Sequence, residues 1–171
     1  MHNKYFSEKI DWELYWKKHH EETPIKDVIF EEYLKYFPER GSLIELGGFP
    51  GKFACYFKKR FDYDVTILDY IIVSERVRSI ETLYGLEEGS IKTIKADINN
   101  YKPINCYDVV ISLGFIEHFE DTKLIIKKHY ELLKPGGVLL ATYPNFRGIN
   151  GLIQKHLDPK NYSIHNIKSM N

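Results

Sequence analysis

A chain of 171 residues, 43% hydrophobic and 28% charged, has the length and composition of one soluble globular domain. Lys plus Arg and Asp plus Glu both total 24, so no basic excess marks a general nucleic-acid or anionic-membrane binder. Two cysteines, Cys55 and Cys106, are too few for a disulfide scaffold; both fall in apolar stretches and read as buried free thiols.

In chain order, MHNKYFSEKIDWELYW carries scattered charges and no apolar leader core, so a cytoplasmic location is expected. The apolar runs are strand-length, well short of the roughly 20 residues of a membrane span. Residues 7–20 read as a first helix with Ser7 as N-cap and Ile10, Trp12, Leu14, Tyr15 and Trp16 as its apolar content. Thr23-Pro24 opens a second helix, with Ile25, Val28, Ile29, Tyr33 and Tyr36 keeping the helical period until Pro38 and Gly41. SLIELGG is a first strand, and Phe53, Ala54, Phe57 and Phe61 form one face of a helix over 51–61. DVTILDY (64–70) is a second strand. Val77, Ile80 and Leu83 mark a helix closed by Gly85. IKTIKAD (91–97) and YDVVISLG (107–114) are the third and fourth strands. A helix over 121–134 ends at the turn Lys134-Pro135-Gly136-Gly137, and GVLLATYP (137–144) is the fifth strand. In the tail, 145–171, INGLIQKHL reads as one short helix. Strands alternating with helices predict an α/β domain with a mainly parallel sheet covered by helices. Residues 1–40 contribute N-terminal helices and 41–144 the core.

In such sheets ligands bind beyond the C-terminal strand ends, where strand order reverses. There the first strand runs into Glu45-Leu46-Gly47-Gly48-Phe49-Pro50-Gly51, whose glycines permit a tight turn and close ligand approach. Asp69 ends the second strand, where a carboxylate can accept both hydroxyl hydrogens of a ribose. A dinucleotide fingerprint starting at Gly47 needs glycines where Phe49 and Lys52 stand, a phosphate-binding G-K-[ST] is absent, and so is a G-x-S-x-G elbow.

Taken together, these motifs resemble the class I S-adenosylmethionine-dependent methyltransferases. The family's first motif, acid-x-Gly-x-Gly-x-Gly, aligns with Glu45 to Gly51, and its second acid with Asp69. Asp97 ends the third strand, YDVVISLGFIEHFED (107–121) resembles the fourth motif, and LLKPGGVLL (132–140) the turn into the fifth strand. The resemblance covers residues 42 to 144 and implies a Rossmann-like three-layer sandwich that binds S-adenosylmethionine and releases S-adenosylhomocysteine. It implies that Glu45 helps hold the cofactor's ammonium, that Gly47, Gly48 and Gly51 act through the backbone, and that Asp69 with its neighbour Tyr70 takes the ribose. Asp97 would receive the adenine amino group beside Ile98, and the backbone of Leu113 and Gly114 would face the methionine end. Phe49 departs from the family's middle glycine; it either lets the cofactor pass over Gly47 and Gly48 or narrows the site.

Each position also has a plainer reading: Glu45 as a cap of the turn, Asp69 as a surface acid and Asp97 as a loop acid. His118, after Glu117, is the one titratable candidate for a general base, or else a structural hydrogen-bonding group. Trp12 and Trp16 share a helix face, which either packs on the sheet edge or forms a lid over the cofactor. No metal constellation stands out: His19-His20 are adjacent and share no face, and the other histidines lack zinc-site spacing. The expected function is methyl transfer to a small-molecule acceptor; the alternative is a non-catalytic or truncated cofactor-binding module. The resembled family usually adds two strands after the fifth, and residues 145–171 show no pair of strand-like runs. A fragment or a shortened variant is expected, with the fifth-strand edge covered by the tail or by a homodimer.

Overall fold

A computed structural model of the chain describes residues 11–18, 23–146 and 148–170. Five strands, β1 (Ser42–Leu46), β2 (Asp64–Asp69), β3 (Ile91–Lys95), β4 (Tyr107–Leu113) and β5 (Leu133–Thr142), form one sheet in the order β3-β2-β1-β4-β5. Every pairing is parallel. Strand order reverses at β1, which lies between β2 and β4. The expected α/β fold and the five expected strands are present.

Parallel strands covered on both faces must be apolar on both, and β1 reads that way. Leu43, Val65, Ile67, Val109 and Ile111 join one core with Ala54, Cys55 and Phe57 of α2 (Lys52–Phe61) and Val77 and Ile80 of α3 (Ser74–Leu83). The alternate residues Ile44, Leu46, Leu68 and Val110 form a second core with Ile125 of α4 (Thr122–Glu131) and Leu132. The result is three layers, with α2 and α3 on one face and α4 on the other. Asp121 caps α4 by accepting from Leu124 N–H at 3.0 Å, and Gly85, at φ +69°, closes α3 as expected.

Four sequence expectations change. The second helix is replaced by an extended stretch and a 3-10 turn, Glu31–Tyr36. Val28 and Phe30 are buried while Ile29 is 93% exposed, an extended rather than helical period. Phe30 and Phe37, outside the helical stripe, stack on Phe57 at 6.3 and 5.6 Å between ring centroids, and that packing overrides the local helical pattern. The first helix, α1, is described over Trp12–Lys18 and capped by Asp11, whose carboxylate accepts from Leu14 N–H at 2.9 Å; Ser7 lies outside the described residues. The Pro135-Gly136-Gly137 turn does not precede β5 but lies within it: Tyr107 pairs with Leu133, then Val109 with Val138, so the intervening residues bulge out. There Asp108 accepts from Ser42 N–H and Oγ, both at 2.8 Å, and from Lys134 Nζ at 2.9 Å. These bonds hold its carboxyl down at about 2. Finally, Cys55 is buried, but Cys106 is exposed, because it sits in the loop before β4 rather than in the strand.

The tail forms α5 (Gly148–Leu157), α6 (Pro159–Ser163) and a final 3-10 turn, Ile167–Met170. It is pinned not over β5 but on the loop after β4. Asn166 N–H donates to Glu117 O at 2.7 Å, and its side-chain amide donates to Phe119 O and Glu120 O at 2.9 Å each. No residue of β5 is buried, so that edge stays open in the described chain. No helix of the described residues is long and apolar enough to cross a membrane.

One buried polar link ties α4 to the sheet. His129 is fully buried; its Nδ1–H donates to Ile125 O at 2.7 Å, and its Nε2 accepts from Ser112 Oγ at 2.9 Å. Burial, opposed only in part by the Ile125 carbonyl, lowers its pKa below 6.5. The unfolded chain therefore takes up a proton near pH 6.5 that the fold refuses until lower pH. Stability is full above that point and falls as pH drops below it, by up to about 1.4 kcal/mol per pH unit for one group. Between pH 7.5 and 5.5 the melting temperature of wild type is expected to fall relative to that of His129→Leu, so the variant, though less stable at pH 7.5, should close part of the gap as pH drops. A gap that stays constant with pH would remove His129 from the account.

Candidate functional site

A cavity of about 700 Å³ opens at the C-terminal ends of β1, β2, β3 and β4, within the range of small-ligand sites. Its floor is the turn after β1. Gly47, at φ +69°, donates its N–H to Leu68 O at 2.9 Å, and a Cβ there would come within 2.3 Å of the Phe115 ring. A Cβ on Gly48 would strike the Glu45 side chain at 2.5 Å. Both positions need glycine, one for conformation and approach, the other for room.

Ten of the eleven residues expected at a cofactor site line this cavity: Glu45, Gly47, Gly48, Phe49, Asp69, Tyr70, Asp97, Ile98, Leu113 and Gly114. Gly51 does not. It stands behind the wall as N-cap of α2 at φ +107°, with the Ile67 side chain 3.0 Å from where its Cβ would be. Phe49, the departure from the glycine pattern, turns its ring into the wall. It is 4% exposed and packs edge-on against Trp16 at 5.5 Å.

Asp69 cross-links the two loops on either side of it. Its carboxylate accepts from Phe49 N–H at 3.1 Å and from Ile71 N–H at 2.9 Å. Burial raises its pKa, and these backbone donors, with that of Tyr70, counter the rise. A carboxylate has about four lone-pair sites, so capacity for a ligand remains. Asp97 caps its own turn, accepting from Asn99 N–H and the Asn100 amide, both at 2.9 Å, with the buried Ile98 beside it.

Glu45 is the unusual group. It is 3% exposed, and its Oε2 is buried without a hydrogen-bond partner. Burial pushes its pKa up to about 8, opposed by the Ala54 N–H and aided by the negative charge of Asp69. A carboxylate held this way is an incomplete arrangement that a cation or donor in the cavity would complete.

The opposite wall comes from α1 and the loop after β4. Trp12 and Trp16 both line the cavity, so the N-terminal helix lies at the ligand site rather than merely at a sheet edge. The two indoles bridge it: Trp16 meets Phe49, and the Trp12 ring lies 5.5 Å from that of His118. His118 lines the cavity as expected, but its pKa falls to about 4 through burial and the neighbouring His165, against the Ile164 carbonyl. A general base works best near the operating pH, so His118 is poorly suited to that role. Sequence spacing found no metal-type cluster, yet Glu117, His118 and His165 come together here. Nothing in the spacing pointed to it, because His165 arrives from the tail. His19 and His20 lie outside the described residues.

Comparison with known proteins gives concordant results. A family model described as a methyltransferase domain matches residues 16–167. Phosphoethanolamine N-methyltransferase 3 of Arabidopsis thaliana is 33% identical over 88 residues, 51% of this chain and 18% of that protein. Coclaurine N-methyltransferase bound to N-methylheliamine and S-adenosylhomocysteine superimposes with a TM-score of 0.59 at 15% identity, covering 71% of this chain and 38% of that one. An S-adenosylmethionine-dependent methyltransferase from Geobacter sulfurreducens, in complex with S-adenosylhomocysteine, gives a TM-score of 0.55 at 17% identity, covering 73% and 51%. The match thus spans about a fifth of the curated relative and roughly half or less of these solved structures.

The buried Glu45 makes a testable claim about the ligand-free protein. Its folded pKa of about 8 lies above the ordinary 4.5, so the fold favours the proton and loses stability as pH rises between those values. Glu45→Gln removes that burden. At pH 8.5 the variant should melt higher than wild type by a few degrees (about 2–4 °C per kcal/mol in a domain of this size), with the gap shrinking toward pH 5. A lower melting temperature for the variant at pH 8.5 would mean the carboxylate is already satisfied.

Proposed function

This chain belongs to the methyltransferase-domain family, and we propose that its cavity binds S-adenosylmethionine and presents it to a small-molecule acceptor. The observation that carries the reading is the end of β1. There a buried carboxylate with one oxygen unpartnered faces a turn whose two glycines leave no side chain in the way. That is a seat for an ammonium bearing a short chain. Glu45 then holds the amino-acid end, directly or through water, and its charge state is set by that contact.

Asp69 takes the ribose hydroxyls with its remaining lone pairs while fixing Phe49 and Ile71 by their backbone. Asp97 and Ile98 form the base end, one polar and one apolar, and Tyr70, 66% exposed, covers the rim. Leu113 and Gly114 bring backbone to the methionine end. Gly114, at φ +72° with its N–H donated to Thr142 O at 2.9 Å, keeps that stretch fixed.

When bound, S-adenosylmethionine supplies a methyl group already activated on a sulfonium. The protein's task is then alignment and exclusion of water. Trp12 and Trp16 wall the cavity with apolar surface, and His118 and Phe119 close the side next to the tail. A chain without net charge, and a cavity walled this way, favour a small acceptor over a polyanion. The names of the two N-methyltransferases above support the same class.

Calorimetric titration with S-adenosylhomocysteine tests the cofactor site. Wild type should bind, and Asp69→Ala and Glu45→Gln should each weaken binding at least tenfold, about 1.4 kcal/mol. No binding by wild type, or unchanged binding by Asp69→Ala, overturns the assignment. Transfer of labelled methyl from the cofactor into a metabolite extract is expected in the small-molecule fraction. Binding without any transfer would establish the non-catalytic module instead.

A further inference from the structure

We infer that Glu117, His118 and His165 form a binding site for one divalent transition-metal ion of the zinc, cobalt or manganese type at the cavity wall. One ligand atom from each of these residues lies within 4.8 Å of the others. Two metal–ligand bonds of about 2.1 Å laid end to end span about 4.2 Å, so modest side-chain rotation closes the set on an ion.

The hydrogen bonding around the cluster leaves a bare acceptor on each of the three residues. His118 Nδ1 lies 3.2 Å from Ile164 O, and His165 Nδ1 lies 2.6 Å from Asn161 O. A carbonyl only accepts, so in both rings Nδ1 carries the hydrogen and Nε2 presents a bare lone pair. This is the orientation that backbone carbonyls impose on metal-binding histidines. Glu117 Oε2 is buried and has no hydrogen-bond partner. One ligand atom from each residue thus converges in a place where His165 is 9% and Glu117 2% exposed. A buried polar atom such as Glu117 Oε2 seldom stays unsatisfied, and a cation shared with the two imidazoles satisfies it. Two imidazoles with one carboxylate select borderline transition metals over calcium or magnesium, which prefer oxygen ligands.

The site is also framed. Asn166 N–H on Glu117 O ties the tail to the loop after β4 right beside the cluster. His118 packs against Trp12, and His165 lies edge-on to Phe146 at 5.1 Å. His118 lines the cavity, so the ion sits against it. If the cavity is the methyl-transfer site proposed above, a position left open on the ion is available to an oxygen or nitrogen of the acceptor.

The test uses the full chain stripped with chelator. Zn²⁺ titrated by calorimetry should bind one ion per chain at micromolar or tighter affinity, and Co²⁺ should give a visible d–d band. In ¹⁵N spectra, Zn²⁺ should shift the Nε2 resonances of two imidazoles. Glu117→Gln and His165→Gln should each weaken Zn²⁺ at least tenfold while still binding S-adenosylhomocysteine, which separates loss of the ion from loss of the cofactor site. No saturable Zn²⁺ binding by wild type, or unperturbed imidazole resonances, overturns the inference even if both variants fail to fold. Undiminished affinity in folded variants overturns it as well.

Discussion

β1 has a parallel neighbour on each side, and the helices that follow β1 and β4 lie on opposite faces of the sheet. The loops leaving β1 and β4 therefore diverge, and a crevice must open between them. The cavity occupies that crevice. At the C-terminal end of β1, residues following four strands and the buried side chain of Glu45 line one cavity. The β5 edge contributes no residue to its lining.

Most of the buried polarity in this fold is satisfied within the fold. His129 spends both ring nitrogens on Ile125 and Ser112, and Glu81, 1% exposed, accepts from Gly89 and Ile91 N–H. Those groups fasten helices to strands. Glu45 and Glu117 differ: each keeps a buried oxygen without a partner, Glu45 in the lining of the crevice and Glu117 next to the lining residue His118. Leaving such an oxygen unpaired costs about 1–3 kcal/mol, more when charged, so it persists where something else completes it. The contrast separates buried groups whose partners lie within the fold from those that keep an oxygen unpaired.

The far wall is assembled from both ends of the chain. α1 brings Trp12, and the tail brings His165 and Asn166, onto a loop after β4 that neither segment adjoins in sequence, while Trp16 meets Phe49 of the turn after β1. The core supplies most of the cavity lining, α1 adds Trp12 and Trp16, and the tail braces the loop after β4 from behind. Variation in such segments can change the acceptor without disturbing the sheet.

The strands, the parallel sheet and the cavity position of ten of the eleven residues expected at a cofactor site were legible because each rests on local chemistry. Apolar runs of strand length, glycines at a strand end and acids at successive strand ends are all set by their immediate neighbours in sequence. Even Phe49, the break in the pattern, kept its place at the cavity. What was misread depended on contacts over long separations. The helix expected from Thr23 gives way because Phe30 and Phe37 stack on Phe57, and the Pro135 turn becomes a bulge because Asp108 and Lys134 hold it within β5. His118 looked like a base because its pKa is ordinary until burial and His165 act on it. The sequence alone thus determined the layers and the residues at the β1 and β2 end of the crevice. Only the tertiary structure decided that α1 walls the crevice and that three ligand atoms from positions 117, 118 and 165 converge. Periodicity carries no information about which distant segments meet.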